Sequence, residues 1–171
     1  MWKTLRQIAR AGRVTEPPQP AGAAVQAAAP ERIHADLLRI LGRALAVRVV
    51  DAGSCNGCEL EINALSNPYY NLEGLGIQFV ASPRHADLLL VTGPVARNME
   101  LALRRTFDAM PAPRLVVAAG DCACTGGVFG EGYATCGRVD RVLPVDVAVA
   151  GCPPAPADLL QAILQAVQRR G

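Results

Sequence analysis

Six cysteines hold most of the chemistry open to this chain: Cys55, Cys58, Cys122, Cys124, Cys136 and Cys152. Cys55 and Cys58 stand three apart in 54-SCNGCELE-61. Cys122 and Cys124 share 119-AGDCACTGGVFG-130, and Cys152 opens a Cys-Pro-Pro run in 150-AGCPPAP-156. Thiols at such spacings can form a redox dithiol, a zinc site or an iron–sulfur site. A dithiol needs only Cys55 and Cys58 and leaves Cys152 unexplained. Cys55, Cys58, Cys122 and Cys124 together match a tetrahedral structural zinc. A Cys-x-x-Cys, one remote cysteine and a further Cys-Pro suit a 4Fe–4S cluster. A lone cysteine can also pack as a small hydrophobe, the reading adopted for Cys136 and favoured for Cys124. Every cysteine loop is rich in glycine, which lets backbone close around a bulky group and aim N–H groups at sulfur. Pro153 and Pro154 stiffen the segment after Cys152.

The elements that must position these thiols follow from hydrophobic patterning. Aliphatic runs at 45–51, 77–81, 87–93, 114–120 and 145–151 read as strands. Most are continuously apolar, as in a parallel sheet covered on both faces. Helical patterns fall at 31–45, 58–66, 94–109 and 155–170. This alternation predicts an α/β fold, a flavodoxin-like doubly wound parallel sheet. Cys55 and Cys58 then follow the first strand, Cys122 and Cys124 the fourth, and Cys152 the fifth. Loops after the carboxyl ends of parallel strands share one edge, so three distant cysteine groups are expected to converge there.

The N-terminal stretch 1-MWKTLRQIARAGR-13 sets Lys3, Arg6, Arg10 and Arg13 beside a stripe of Trp2, Leu5 and Ile8. It reads as a basic amphipathic helix suited to anionic headgroups or an acidic partner surface. The Pro- and Ala-rich 15–30 segment reads as a linker. Residues 1–30 are thus expected to stand apart from a single α/β domain over 31–171.

Composition narrows the function further. Of 171 residues, 51% are hydrophobic and 19% charged, which is globular rather than disordered. A net charge of +2 is too small for nucleic acid to be the main partner. No apolar run reaches the length of a membrane span, and the N-terminus lacks the apolar centre of a secretory signal. In the cytosolic setting this predicts, cysteines serve as ligands or catalysts more often than as disulfides. There is no phosphate-binding Gly-x-x-x-x-Gly-Lys loop and no Gly-x-Gly-x-x-Gly after the first strand. His34 and His85 have no nucleophile partner at a recognisable spacing.

Four motifs in order, 54-SCNGCELE-61, 82-SPRHADLLLVTGPV-95, 119-AGDCACTGGVFG-130 and 150-AGCPPAP-156, resemble the small subunit of energy-converting membrane-bound NiFe hydrogenases of the formate hydrogenlyase and hydrogenase-4 type. The wider family includes the subunit of complex I, the NADH:quinone oxidoreductase, that holds its terminal cluster. The resemblance spans about residues 45–168 and implies an electron-transfer subunit with one 4Fe–4S cluster at the carboxyl edge of the strands. By motif match its ligands fall on Cys55, Cys58, Cys122 and Cys152, with Cys124 the less favoured third ligand. Electrons would pass between iron–sulfur partner subunits and a catalytic large subunit that reduces protons to hydrogen, a reaction the resemblance also links to ion movement. Implied partners are a hydrogenase-type or complex I-type large subunit, a ferredoxin-like subunit and membrane-arm subunits. The implied location is the cytoplasmic face of the cell membrane, peripheral and held through those partners. The complex I subunit carries adjacent cysteines where this chain has Cys55-Asn-Gly-Cys58, which places it on the hydrogenase side. The alternatives are a complex I-like quinone reductase subunit and a structural zinc module.

Three further features accompany the motifs. Glu59 and Glu61 fall at the start of the expected helix, where acids suit the helix dipole. The resemblance would let Glu59 face the large subunit. Arg84 and His85 lie in the second motif, where the resemblance allows an effect on the cluster's potential. The ordinary expectation for His85 is a surface pair with Asp87.

Overall fold

The computed structural model describes residues 2–11 and 30–169. The linker expected at 15–30 lies outside the described residues except for Pro30. Helices α1 (Trp2–Ala11) and α2 (Pro30–Leu41) precede strand β1 (Leu45–Asp51). Then follow α3 (Gly57–Ala64), β2 (Ile77–Phe79), β3 (Leu88–Thr92), β4 (Val95–Ala96) and α4 (Arg97–Asp108). The chain continues through β5 (Leu115–Ala119), α5 (Asp121–Thr125), β6 (Thr135–Gly137), β7 (Val147–Val149) and α6 (Pro156–Gln168).

Strands β2, β1, β3, β5 and β7, in that spatial order, form a parallel sheet. Taken as sheet strands in sequence, the order is second, first, third, fourth, fifth, the doubly wound arrangement whose switch point lies between β1 and β3. The expected strands are therefore all present, each except β1 shorter than its apolar run and β7 the most so. Every residue of β3 and β5 is buried, because helices cover both faces. Leu45, Val47, Leu90 and Val117 pack with Leu159 and Ile163 of α6 on one face. Leu89, Val91 and Val116 pack with Leu103 of α4 and with Cys136 on the other. Burial of the Cys136 thiol in that second cluster matches the plain reading of that residue.

Two local features depart from the sequence expectations. Strands β4 and β6 pair as a short antiparallel ribbon outside the main sheet. Asp87, the expected partner of His85, is buried and accepts instead from Arg43 Nη2 at 2.7 Å and from the Ala46 backbone N–H at 3.1 Å. Burial favours the fixed guanidinium and backbone donors, while His85 remains exposed on the surface.

Candidate metal centre

The four thiols singled out by motif meet at the carboxyl edge of the sheet. Cys55 lies in the turn after β1, and Cys58 in the first turn of α3. Cys122 is the second residue of α5, directly after β5, and Cys152 follows β7. Together they line one pocket of about 70 Å³, with Gly57, Gly93, Asp121 and Pro153 in its wall. That is several times the roughly 15 Å³ a single bound water needs. Cys55 and Cys152 are exposed at its mouth, and Cys58 and Cys122 are half-buried.

The loop after β1 is fixed from below. Asp51 Oδ1 accepts from the Gly53 and Ser54 backbone N–H groups at 2.8 and 2.7 Å. Ser54 Oγ takes the Asn56 N–H at 3.0 Å and donates to Glu59 Oε2 at 2.6 Å. The hydroxyl of Thr92, a fully buried residue at the end of β3, donates to Glu59 Oε1. Glu59 does sit in the first turn of α3, but its carboxylate serves as a tether: two hydroxyls hold it, and no side chain caps the helix. The residue beside Cys58 is thereby locked to the middle of the sheet.

The other two loops clamp each other. Asp121 N–H donates to the Gly151 carbonyl at 2.8 Å, and Gly151 N–H donates back to Asp121 Oδ1 at 2.8 Å. This reciprocal pair sets Cys122 and Cys152 side by side. Glycine is required at the closest approaches. A Cβ on Gly120 (φ +90°) would stand 2.6 Å from Cys58 Sγ, and one on Gly127 (φ +54°) would stand 2.7 Å from Cys122 Sγ. The backbone around the pocket therefore cradles sulfur directly.

Cys124 has a different setting. Two residues along a helix turn the side chain about 200°, so Cys124 points away from Cys122. Its Sγ donates to the carbonyls of Val149 at 3.3 Å and Ala118 at 3.6 Å, packed against the second core cluster.

Electrostatics bind the four pocket thiols into one group. Burial pushes the Cys58 thiol up from 9.0 to about 11, with Glu59 and then Cys55, Cys122 and Cys152 adding repulsion to its thiolate. Burial also raises Cys122, helped by Cys152, Cys55 and Asp121. Cys58 and Cys122 thus resist ionisation until a cation enters, and then favour one strongly. Among the described residues, no three His, Cys, Asp or Glu side chains are gathered closely enough to hold a single metal ion. The four thiols instead ring a space of several atoms, which fits a polynuclear group ligated at its corners. His85 and Arg84 are exposed and lie outside the pocket lining.

A parallel doubly wound sheet with a cysteine-ringed pocket at the carboxyl edge of its strands defines the class: an α/β subunit with a candidate metal centre. Residues 55–166 match the family described as NADH ubiquinone oxidoreductase, 20 Kd subunit, and the chain belongs to that family. It is 42% identical over 139 residues to the "Probable membrane-bound hydrogenase subunit mbhJ" of Pyrococcus furiosus, covering 81% of this chain and 83% of that protein. It is 43% identical over 135 residues to formate hydrogenlyase subunit 7 of Escherichia coli, covering 79% of this chain and 53% of the relative. With an NADH-quinone oxidoreductase subunit of Desulfovibrio desulfuricans it shares 45% identity over 108 residues, 63% of this chain and 58% of that one. The chain thus spans little more than half of the latter two.

Among solved structures, a chain of the membrane-bound sulfane sulfur reductase, an archaeal respiratory membrane complex, superposes with a TM-score of 0.61 at 30% identity. That match covers 82% of this chain and 72% of the other. A chain of an NAD+-reducing [NiFe]-hydrogenase shares the fold at TM-score 0.56 and 18% identity, covering 75% and 94%. The protein is accordingly a member of a family of oxidoreductase-complex subunits, with relatives in membrane-bound hydrogenase and in NADH-quinone oxidoreductase. No described helix is long and apolar enough to cross a membrane.

Asp121, Thr92 and Ser54 support the candidate site, and the sequence does not single them out. The roles of Asp121 and Thr92 depend on contacts across 30 or more residues, which no local spacing signals. Asp121 carries one faint mark, its place directly before a candidate ligand.

Proposed function

We propose that this chain is the cluster-bearing electron-transfer subunit of a membrane-bound hydrogenase-type complex, with Cys55, Cys58, Cys122 and Cys152 holding one 4Fe–4S cluster. The observation that carries the reading is the convergence of four thiols from three separate loops on a single 70 Å³ pocket. When bound, such a cluster supplies one-electron transfer between neighbouring redox partners. The chain's own residues supply the rest. Two exposed thiols keep one side of the site open to a partner surface, while the sheet buries the other side. The Thr92–Glu59–Ser54 tether and the Asp121–Gly151 clamp fix the loops, so little rearrangement accompanies a change of charge.

The reaction itself belongs to the partners. A ferredoxin-like iron–sulfur subunit gives up electrons, and the large subunit takes two of them with two protons to release hydrogen. The chain sits peripherally at the cytoplasmic membrane face in this reading. A structural zinc formed with Cys124 is disfavoured, since that thiol is turned into the core. A quinone-reducing complex is the second reading, favoured by the 45% identity to the NADH-quinone oxidoreductase relative.

The test is Cys122→Ser in the native complex, with hydrogen evolution and nickel content measured together. Activity should fall by at least about a hundredfold while nickel stays at the wild-type level, because electron delivery is cut without touching the large subunit. Undiminished hydrogen evolution would refute the proposal. A wild-type complex that reduces quinone and neither makes nor consumes hydrogen would favour the second reading.

A further inference from the structure

We infer that helix α1 is a lipid-binding element that lies flat on an anionic bilayer surface, giving this chain a direct membrane contact of its own. The observations are independent of the cysteine pocket. Trp2–Ala11 is helical, and Trp2, Lys3, Arg6, Ala9 and Arg10 are exposed. Lys3, Arg6 and Arg10 stand at helical spacing along one stripe. Trp2 and Ala9 mark an adjoining stripe, which the register positions of Leu5 and Ile8 continue. No acidic residue precedes Glu16, so the segment has one sign of charge throughout.

This pattern has a physical counterpart. A helix with a Trp-bearing apolar stripe, cations beside it and low overall hydrophobicity is stable with the apolar side sunk to the acyl boundary and the cations among phosphates. Arginine and lysine stems lie along the apolar surface while their heads reach the headgroups. Ten residues at 1.5 Å rise span only about 15 Å, half of a bilayer core, so the helix can lie on the membrane and cannot cross it. An isolated helix this short is marginal in water, and an interface that buries its apolar stripe supplies the missing stabilisation. Anionic lipid is favoured over an acidic protein because two of the relatives named above carry membrane-bound complexes in their names, where such a surface is within reach.

Trp2 is the only tryptophan of the chain, so its fluorescence reports on α1 alone. The experiment mixes the full cluster-loaded chain with vesicles of phosphatidylcholine, with or without phosphatidylglycerol. Co-sedimentation and a blue shift of Trp2 emission are expected with the anionic vesicles only. Binding should weaken as salt rises from about 0.01 to 0.15 M, where the screening length shrinks from about 30 to 8 Å. Arg6→Glu with Arg10→Glu should lower the partition constant at least about tenfold. Both positions are exposed, so circular dichroism and iron content should match wild type, and a failed cluster assignment would show separately as missing iron. The inference is overturned if anionic vesicles are not bound, if the double variant binds equally well, or if an acidic partner subunit shifts Trp2 emission while vesicles do not.

Discussion

At the scale of single residues, the sharpest contrast lies between two cysteines separated by one alanine. Cys122 lines the pocket and senses Cys152 and Cys55, whereas Cys124 bonds to backbone carbonyls in the core. The sequence leaves both as third-ligand candidates, because a five-residue helix is too short to show periodicity and so to reveal that the two thiols diverge. Cys124→Ala should retain full iron content and lose about 1 kcal/mol or less of stability, the scale of one weak hydrogen bond and a small packing change. Cys122→Ala should lose most of its iron, and iron analysis of both purified variants decides the matter. The raised Cys58 thiol gives a pH prediction for the metal-free chain. Its folded pKa of about 11 exceeds the ordinary 9.0, so the protonated thiol stabilises the fold below pH 9. That contribution is lost as pH rises toward 11. Urea unfolding should show stability falling over this range, by less in Cys58→Ala than in wild type.

At the scale of elements, the site is a property of strand ends. Continuous aliphatic runs at 88–92 and 115–119 make the buried central strands legible, since two-sided burial removes the polar alternation of an exposed sheet. Once those strands are parallel, the cysteine loops must share an edge. The β4–β6 ribbon is not legible, because two- and three-residue strands joined across some 40 residues leave no pattern in either segment. Nor is the reversal at Asp87, whose partners Arg43 and Ala46, at the start of β1, stand more than 40 residues earlier in the chain. The glycines are legible as loop formers, but which thiol each one faces depends on the tertiary arrangement. Gly120→Ala tests that arrangement. The new methyl would collide with Cys58 Sγ at 2.6 Å, at a φ of +90° that L-residues avoid. A folded protein with iron reduced to less than half, and an altered paramagnetic spectrum in the remainder, is the expected result.

At the scale of the whole molecule, the proposed role of the chain is that of a scaffold for a cluster. Its sheet buries one side of the thiol pocket and leaves Cys55 and Cys152 at the surface, where the proposed cluster would exchange an electron with a neighbour. Relatives named for hydrogenase, formate hydrogenlyase and NADH-quinone oxidoreductase share 42–45% identity with this chain, and a chain of a sulfane sulfur reductase shares its fold. The motifs make this family legible in the sequence, and the three-loop convergence gives them a physical basis. The direct measurement is iron, acid-labile sulfide and zinc content of the anaerobically purified chain, with the paramagnetic spectrum of its reduced form, for wild type and Cys152→Ser. About four iron and four sulfide per chain, with a reduced-state signal that disappears in Cys152→Ser, are predicted. A colourless protein with one zinc per chain, or an unchanged signal in the variant, would contradict the four-thiol cluster site.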